Sequence, residues 1–555
     1  MKKLVKLAVA FLTLIRVGLY MTMPVMVYAD QMHDDRLLFN YAESLISGNW
    51  LGTYNYLTLV KGISYSAFIA VCSKLFIPYT LGLALLGVGA AFVFIKAIQK
   101  IISNEYVLWA IYLLLIYAPI TMTNITAQRL YRMSIIAPAV LLVIACFIGL
   151  FLRRKESLKA LLPWALGAGA SLAFFWHIRE DSIWLMPFCV VLLACGFLLR
   201  LLEEKNIKAQ KNYLIVCLIP FVMLIASTIA ISLMNLKEYG IYTENDKTDT
   251  EFAKLVEVIY AMEDEDAPED VWLSYKGLQK LESFSPTLQT VSAEVETAYL
   301  AWGGGSDVTG DYVVWAFRDG FREAGYYDDA VEVNEFCAKI NAELDEAKKD
   351  GRLKYDDKLR IMGSAEGLDD GEFASIMRYA FSDLTRFSTY SECVATDTTG
   401  YTGEYDEVRK LEGMMGIRSV QGEQDVILPW GHRAVVWYNN IMIPYKALGG
   451  FLAVVGIIIW LILTIDVILD LKKKIYGPKL EIWLCATGMV LSAFALALGI
   501  EYFSRWFPDE LRRYILMYCA GCQYLLQIPK YLMVYYGISR LVYIVKDKMR
   551  GRKTA

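Results

Sequence analysis

Long apolar runs separated by short basic breaks fill residues 1–234 and return after 446, with one long polar stretch between them. A bilayer core takes about 20 consecutive apolar residues per helix. Runs of that kind stand near 4–28, 79–97, 106–121, 134–152, 160–176, 183–202, 212–234, 447–470, 481–501 and 514–543. A shorter apolar piece at 63–77, "ISYSAFIAVCSKLFI", carries Lys74 and reads as a partly inserted or re-entrant helix. The pattern predicts an α-helical polytopic membrane protein of ten or eleven spans. The polar stretch reads mostly helical: Val333, Phe336, Cys337, Ile340 and Leu344 share one helical face. "TDTEFAKLVEVIYAM" places Thr and Asp caps before another periodic run, and "WGGGSDVTGD" (302–311) and "TDTTGYTGEYDE" (396–407) mark loops.

Composition agrees, with 56% hydrophobic residues and a mean hydropathy of +0.38. Charge adds an orientation. Residues 235–445 carry 42 acidic and 20 basic residues, whereas the remainder carries 17 and 35. The basic residues cluster in short loops: Lys2-Lys3, Lys96 to Lys100, 153–159, 203–211, 470–474 and the tail. Short loops rich in Lys and Arg stay cytoplasmic, so both termini are expected inside and 235–445 outside. The expected division is a seven-span block (1–234) with an exterior first loop (29–62), an acidic exterior domain (235–445) and a three-span block (446–555). The basic clusters are scattered membrane flanks rather than one patch, so no nucleic-acid partner is expected. "MKK", an apolar run and "VYAD" imitate a signal peptide, but the run is long and contains Arg16, so it reads as an uncleaved first span.

Eight of ten cysteines fall in expected spans; Cys337 and Cys393 fall in the exterior domain, where one disulfide is open to them. Cys519 and Cys522 have redox spacing without the βαβ context that would give it meaning.

Four short stretches carry candidate chemistry, all on the expected outer side. In "HDDRLLFNYAESLISGNW", Leu37, Leu38, Tyr41, Ala42 and Leu45 form an apolar stripe, so the segment reads as an amphipathic surface helix. Asp34 and Asp35 open that helix, either as a cap for its free N–H groups or as a base beside the membrane. "KGISY" offers Lys61 next to Gly62, either a snorkelling lysine or a phosphate contact, with Tyr65 closing the stretch. "WHIREDSIWLMP" places Arg179, Glu180 and Asp181 between Trp176 and Trp184. "QRLYRMS" puts Arg129 and Arg132 against the positive-inside tendency. The histidines His33, His177 and His432 all fall in exterior segments; no ligand spacing supports a metal site of His33, His177 and a carboxylate. No nucleotide-binding fingerprint is visible, and no cofactor is expected.

Taken together, "DDRLLFNYAESLISGNW", "LVKGISYSAFIA" and "REDSIWLMP" resemble the GT-C superfamily of membrane glycosyltransferases, which includes protein O-mannosyltransferases and the lipid A aminoarabinose transferase. The corresponding positions are Asp34, Asp35, Ala42, Leu45, Gly48, Lys61 and Gly62, with Arg179-Glu180 as the later element. Ile63 and Ser66 stand where the family often has proline, and Val60 where the aminoarabinose transferases have Glu. The resemblance implies a GT-C-like bundle and a sugar donor on polyprenyl phosphate. The acceptor would be an envelope glycan, glycolipid or protein. Asp34, with Asp35, would be the base of an inverting transfer; Lys61, Arg179 and Arg129 would offset the phosphate, with His33, Tyr65, His177 and Glu180 in support. A transporter or flippase for lipid-linked glycans, or an envelope assembly protein, is the alternative.

Overall fold

The computed structural model describes residues 2–203, 207–361, 365–369, 371–397, 400–419, 429–508 and 511–551. Residues 204–206 and 552–555, parts of the expected basic clusters, and positions 398–399 of the expected loop lie outside the described residues. The first half of the chain contributes α1 (Lys2–Met21), α2 (Asp35–Ser47), α3 (Ser64–Lys74), α4 (Tyr79–Ile98), α5 (Glu105–Ile116), α6 (Met133–Leu152), α7 (Leu158–Trp176), α8 (Met186–Glu203) and α9 (Ile207–Tyr239). The polar insert follows as α10 (Glu251–Ala261), α11 (Tyr275–Phe284), α12 (Pro286–Gln289), α13 (Ser292–Trp302), α14 (Tyr312–Glu323), α15 (Ala330–Lys349), α16 (Glu372–Thr389) and α17 (Tyr405–Met415). The chain closes with α18 (Pro429–Lys472), α19 (Pro478–Phe503), α20 (Ile515–Tyr518) and α21 (Cys522–Gly551). The sheet content of the described residues is one parallel pair, β1 (Val27–Tyr28) on β2 (Tyr401–Thr402).

This is a helical, multi-pass membrane protein. Eight helices among the described residues are long and apolar enough to cross a bilayer, or nine if the bent pair at 105–128 is one span. That is fewer than the ten or eleven expected, for physical reasons. The helix α21 is long enough but carries Gln523, Gln527, Lys530 and Arg540. The helix α3 has 11 residues, about half a span. The first span ends at Met21 rather than 28, because the chain leaves the helix before Pro24 and enters β1. The helix α18 has 44 residues and at 1.5 Å each measures about 66 Å, so it reaches well past a hydrocarbon core of about 30 Å.

The break after α5 is tied to Arg16, which is fully buried in α1. Its guanidinium donates to the carbonyls of Ile116 (2.7 Å) and Thr121 (2.8 Å) and to Thr121 Oγ1 (2.8 Å), satisfying backbone acceptors that the broken helix leaves open.

Two apolar cores form. One joins the spanning helices with Phe387, Tyr390, Val408, Leu411 and Met415 from the end of the insert. The other lies inside the insert and includes Leu37, Tyr41, Leu51, Tyr54, Tyr56, Leu57, Leu59 and Val60 from the first loop, plus Tyr502 and Trp506. The helix α2 therefore sits between two protein cores rather than on a membrane surface: Leu38 and Ala42 face one, Leu37 and Tyr41 the other.

Cys337 and Cys393 do not pair. Both are buried free thiols, one in each core, as are most of the other eight cysteines. Unfolded without reductant, the protein is therefore expected to take up ten equivalents of maleimide, counted by intact mass.

Candidate functional site

The site is built by short extended segments just beyond α1 and α5. Met26 donates to Gln128 O (2.8 Å) and accepts from Leu130 N (3.1 Å), which sets Arg129 and Tyr131 beside the start of α2. Lys61 is fixed from the other side. Leu59 adopts φ +65°, a left-handed conformation costly for a branched side chain, and its carbonyl accepts from Asp246 N (2.8 Å) in the insert.

Asp34 stands at the N-cap of α2 but makes no side-chain cap hydrogen bond. Its Oδ1 instead accepts from Lys61 Nζ (2.8 Å) and Tyr131 OH (2.9 Å), while Oδ2 accepts from none of the described residues. The Tyr131 hydroxyl accepts from Arg132 Nε (3.3 Å), and Arg132 Nη1 grips both oxygens of Glu180 (2.8 and 3.0 Å). Glu180 Oε1 accepts the Gly62 N–H (3.1 Å), and Gly62 follows Lys61. Four distant pieces of chain thus close one ring of polar contacts.

Its electrostatics follow from position. Asp34 retains 37% of its side-chain surface, so it opens toward solvent within walls of protein. Burial pushes its carboxyl up, but Lys61, then Arg132 and the Tyr131 hydroxyl, outweigh that and hold it well below the usual carboxylate range. The Glu180 carboxyl is likewise desolvated and then pulled down, to about 2, by Arg132 and Lys61.

Asp35 belongs to a different contact. It is fully buried and takes a two-pronged grip from Arg129, Nε–Oδ1 at 3.1 Å and Nη2–Oδ2 at 2.5 Å. Burial pushes the Asp35 carboxyl up to about 6 against that partner. The Arg129 guanidinium also lies 4.6 Å from the Tyr131 ring centre. It is committed to Asp35 and does not reach the cavity beside Lys61.

That cavity, of about 170 Å³, is lined by Lys61, Gly62, Trp176, His177, Arg179 and Glu180, with Asn235 and Asn245 opposite. Arg179 is held by Asp181 (2.5 Å) and the Tyr518 carbonyl (2.9 Å). His177 is buried between Glu244 (2.5 Å) and Ser227 (2.8 Å). His33 lies elsewhere, its ring against Trp315 (4.6 Å between centres) and Trp302 (5.3 Å). The two histidines do not converge, and no metal-binding group of His, Cys, Asp and Glu occurs among the described residues. Tyr65 is buried off the site, donating to Tyr79 OH (3.2 Å).

Tyr131 is the residue that sequence reasoning missed, and Arg132 the one it left unassigned. The only signal for them was the Arg-Leu-Tyr-Arg spacing, which puts Arg129 and Arg132 on either side of a tyrosine at the start of α6. Gly62 is set by close packing: a Cβ there would lie 2.3 Å from His177 O and 2.8 Å from His177 C. Gly62→Ala is accordingly expected to lose about 1–3 kcal/mol of stability by overpacking; thermal unfolding in detergent reads it.

No family model and no curated protein matches this chain. Among solved structures the chain is similar to ArnT from Cupriavidus metallidurans, in its apo state and bound to undecaprenyl phosphate. In both cases the identity is 13% and the TM-score 0.31, over 90% of this chain and 77% of that one.

Proposed function

We propose that this protein is a GT-C-like membrane glycosyltransferase that moves a sugar from a polyprenyl-phosphate donor to an envelope acceptor. In this reading residues 1–234 carry the site, the insert faces the extracytoplasmic side, and both termini are cytoplasmic. One observation carries it. The ring of contacts leaves a single ionised carboxylate oxygen, Asp34 Oδ2, unengaged, next to a lysine that also lines a cavity with Arg179.

That arrangement suits an inverting displacement. Asp34 Oδ2 takes the proton of an acceptor hydroxyl or amine, and the freed lone pair attacks the anomeric carbon of the sugar. The bond from that carbon to the phosphate oxygen breaks, and polyprenyl phosphate departs with the electron pair. The growing phosphate charge meets Lys61 and Arg179, so no general acid is required. Lys61 acts twice: it quiets Asp34 while the cavity is empty, and a phosphate drawing it away lets burial raise the basicity of Asp34. Asp35 and Arg129 hold the start of α2 rather than touch substrate.

The experiment is transfer from polyprenyl-phosphate sugars to envelope acceptors by the protein in nanodiscs. Lys61→Gln is expected to raise the donor KM about tenfold or more, the loss of a charge-assisted contact. An unchanged donor KM in the folded variant removes Lys61 from the phosphate site. Lipid-linked glycan crossing the bilayer without transfer would instead favour a flippase.

A further inference from the structure

Beside His33, the residue before Asp34, whose ring packs on Trp315 and Trp302, the insert presents two charged side chains that no salt bridge explains. Lys247 and Asp311 are only partly exposed, yet neither the Lys247 ammonium nor the Asp311 carboxylate, which meets its own backbone N–H, makes a hydrogen bond or ion pair with another of the described residues. The ammonium instead lies 5.1 Å from the ring centre of Trp315. Asp311 precedes α14 but does not cap it with its side chain. Burial pulls the lysine down and pushes the carboxyl up; Lys247 feels Asp311 and Lys61, and Asp311 feels Lys247, Lys61 and Asp34. Next to them Tyr312 keeps 37% of its surface open and packs at 5.7 Å against Trp302 and 5.0 Å against Trp506. The loop carrying these residues is pinned, since Gly310 (φ +52°) leaves room for no Cβ against the Trp506 ring. Two opposite charges without a close ion-pair partner, beside a partly exposed tyrosine, are unusual in protein that walls them in.

We infer that Lys247, Asp311 and Tyr312 form the subsite for a saccharide acceptor, holding one sugar ring in reach of Asp34. The apolar C–H face of a sugar ring suits the flat face of Tyr312. Its hydroxyls suit a carboxylate that accepts and an ammonium that donates. A phosphate or an acidic peptide would satisfy Lys247 alone and be repelled by Asp311. This inference rests on the glycosyltransferase reading for the meaning of Asp34, but not for the binding itself.

The test is a fluorescence titration of the full-length protein in nanodiscs with maltotriose, chitotriose and mannotriose, read through the neighbouring tryptophans. At least one is expected to bind in the millimolar range. The double variant Asp311→Asn with Lys247→Gln is expected to weaken it about tenfold or more, as does the loss of hydrogen bonds to charged groups. Tyr312→Ala weakens binding as well, while Tyr312→Phe retains it, which separates the ring from a folding defect. Binding of none of the three, or equal binding by the double variant, overturns the inference. Saccharide binding that the double variant loses, without transfer by the wild type, upholds the subsite and sinks the glycosyltransferase reading. Transfer with an unchanged acceptor KM in the double variant does the opposite.

Discussion

Asp34→Asn is expected to lower the turnover of sugar transfer by about 10²–10⁴-fold, the usual weight of a positioned general base. The amide keeps an oxygen for Lys61 and Tyr131, so the protein should fold and bind donor while losing only the proton acceptor. Transfer at the wild-type rate by the folded variant would reject Asp34 as base. The pH profile sharpens the test. Because Lys61 and Arg132 hold the Asp34 carboxyl well below its ordinary range, it stays ionised far into acid. The free enzyme should therefore show no acidic limb from Asp34 between about pH 5 and pH 7, since an ordinary Asp already titrates near 3.9. Lys61→Gln removes the largest opposing charge and leaves burial to push the carboxyl up. The acidic limb of whatever activity remains should then move to higher pH, seen in kcat/KM against pH.

The second large effect concerns stability and is asymmetric. Asp35→Leu leaves the Arg129 guanidinium buried without its carboxylate, which costs about 3–5 kcal/mol for a broken buried pair. Arg129→Met should cost less, because burial already pushes Asp35 to about 6 and the orphaned carboxyl can take a proton. The sign follows from linkage. An acid whose folded pKa is raised binds more protons folded than unfolded, so its variant loses stability as pH rises through the folded value. Arg129→Met should accordingly be weaker at pH 8 than at pH 5, and the double variant Asp35→Leu with Arg129→Met should regain much of the loss. Thermal unfolding in detergent at the two pH values decides it; equal losses for the two single variants would contradict this account of the pair.

Much of the architecture was legible because it depends on solvent. Apolar runs long enough for a bilayer read directly as spans, and the period of 333–344 read as the buried face of α15. The helix count and the apolar pattern part where a helix is long but not uniformly apolar. The segment 522–551 crosses no simple hydropathy threshold, although it is one of the longest helices. Of the site, the sequence exposed the charges but not their partners. Asp34 looked like a helix cap because it stands where caps stand; only the fold puts Tyr131 and Lys61 nearer to its carboxylate than the N–H groups of α2. Arg129 and Arg132 look alike in sequence, three residues apart. One neutralises Asp35 and the other braces Glu180, because a strand-like pairing with Met26 turns their side chains to different acids. Lys247 and Asp311 gave no local signal, lying in an acidic stretch where single charges do not stand out.

The first loop has a consequence for the order in which the protein is made. Tyr56 is synthesised well before its partner: its carbonyl is held by Arg318, 262 positions later, and Leu59 is held by Asp246. The loop that carries Lys61 therefore has no core of its own to join while the spanning helices that precede the insert enter the bilayer. Its apolar residues wait in solvent until the insert follows, a contact of very high sequence separation and slow to form. A nascent chain halted near residue 240 should thus hold inserted helices and an unformed site, with that loop open to protease. Completion of α14 should be the moment at which the loop becomes protected.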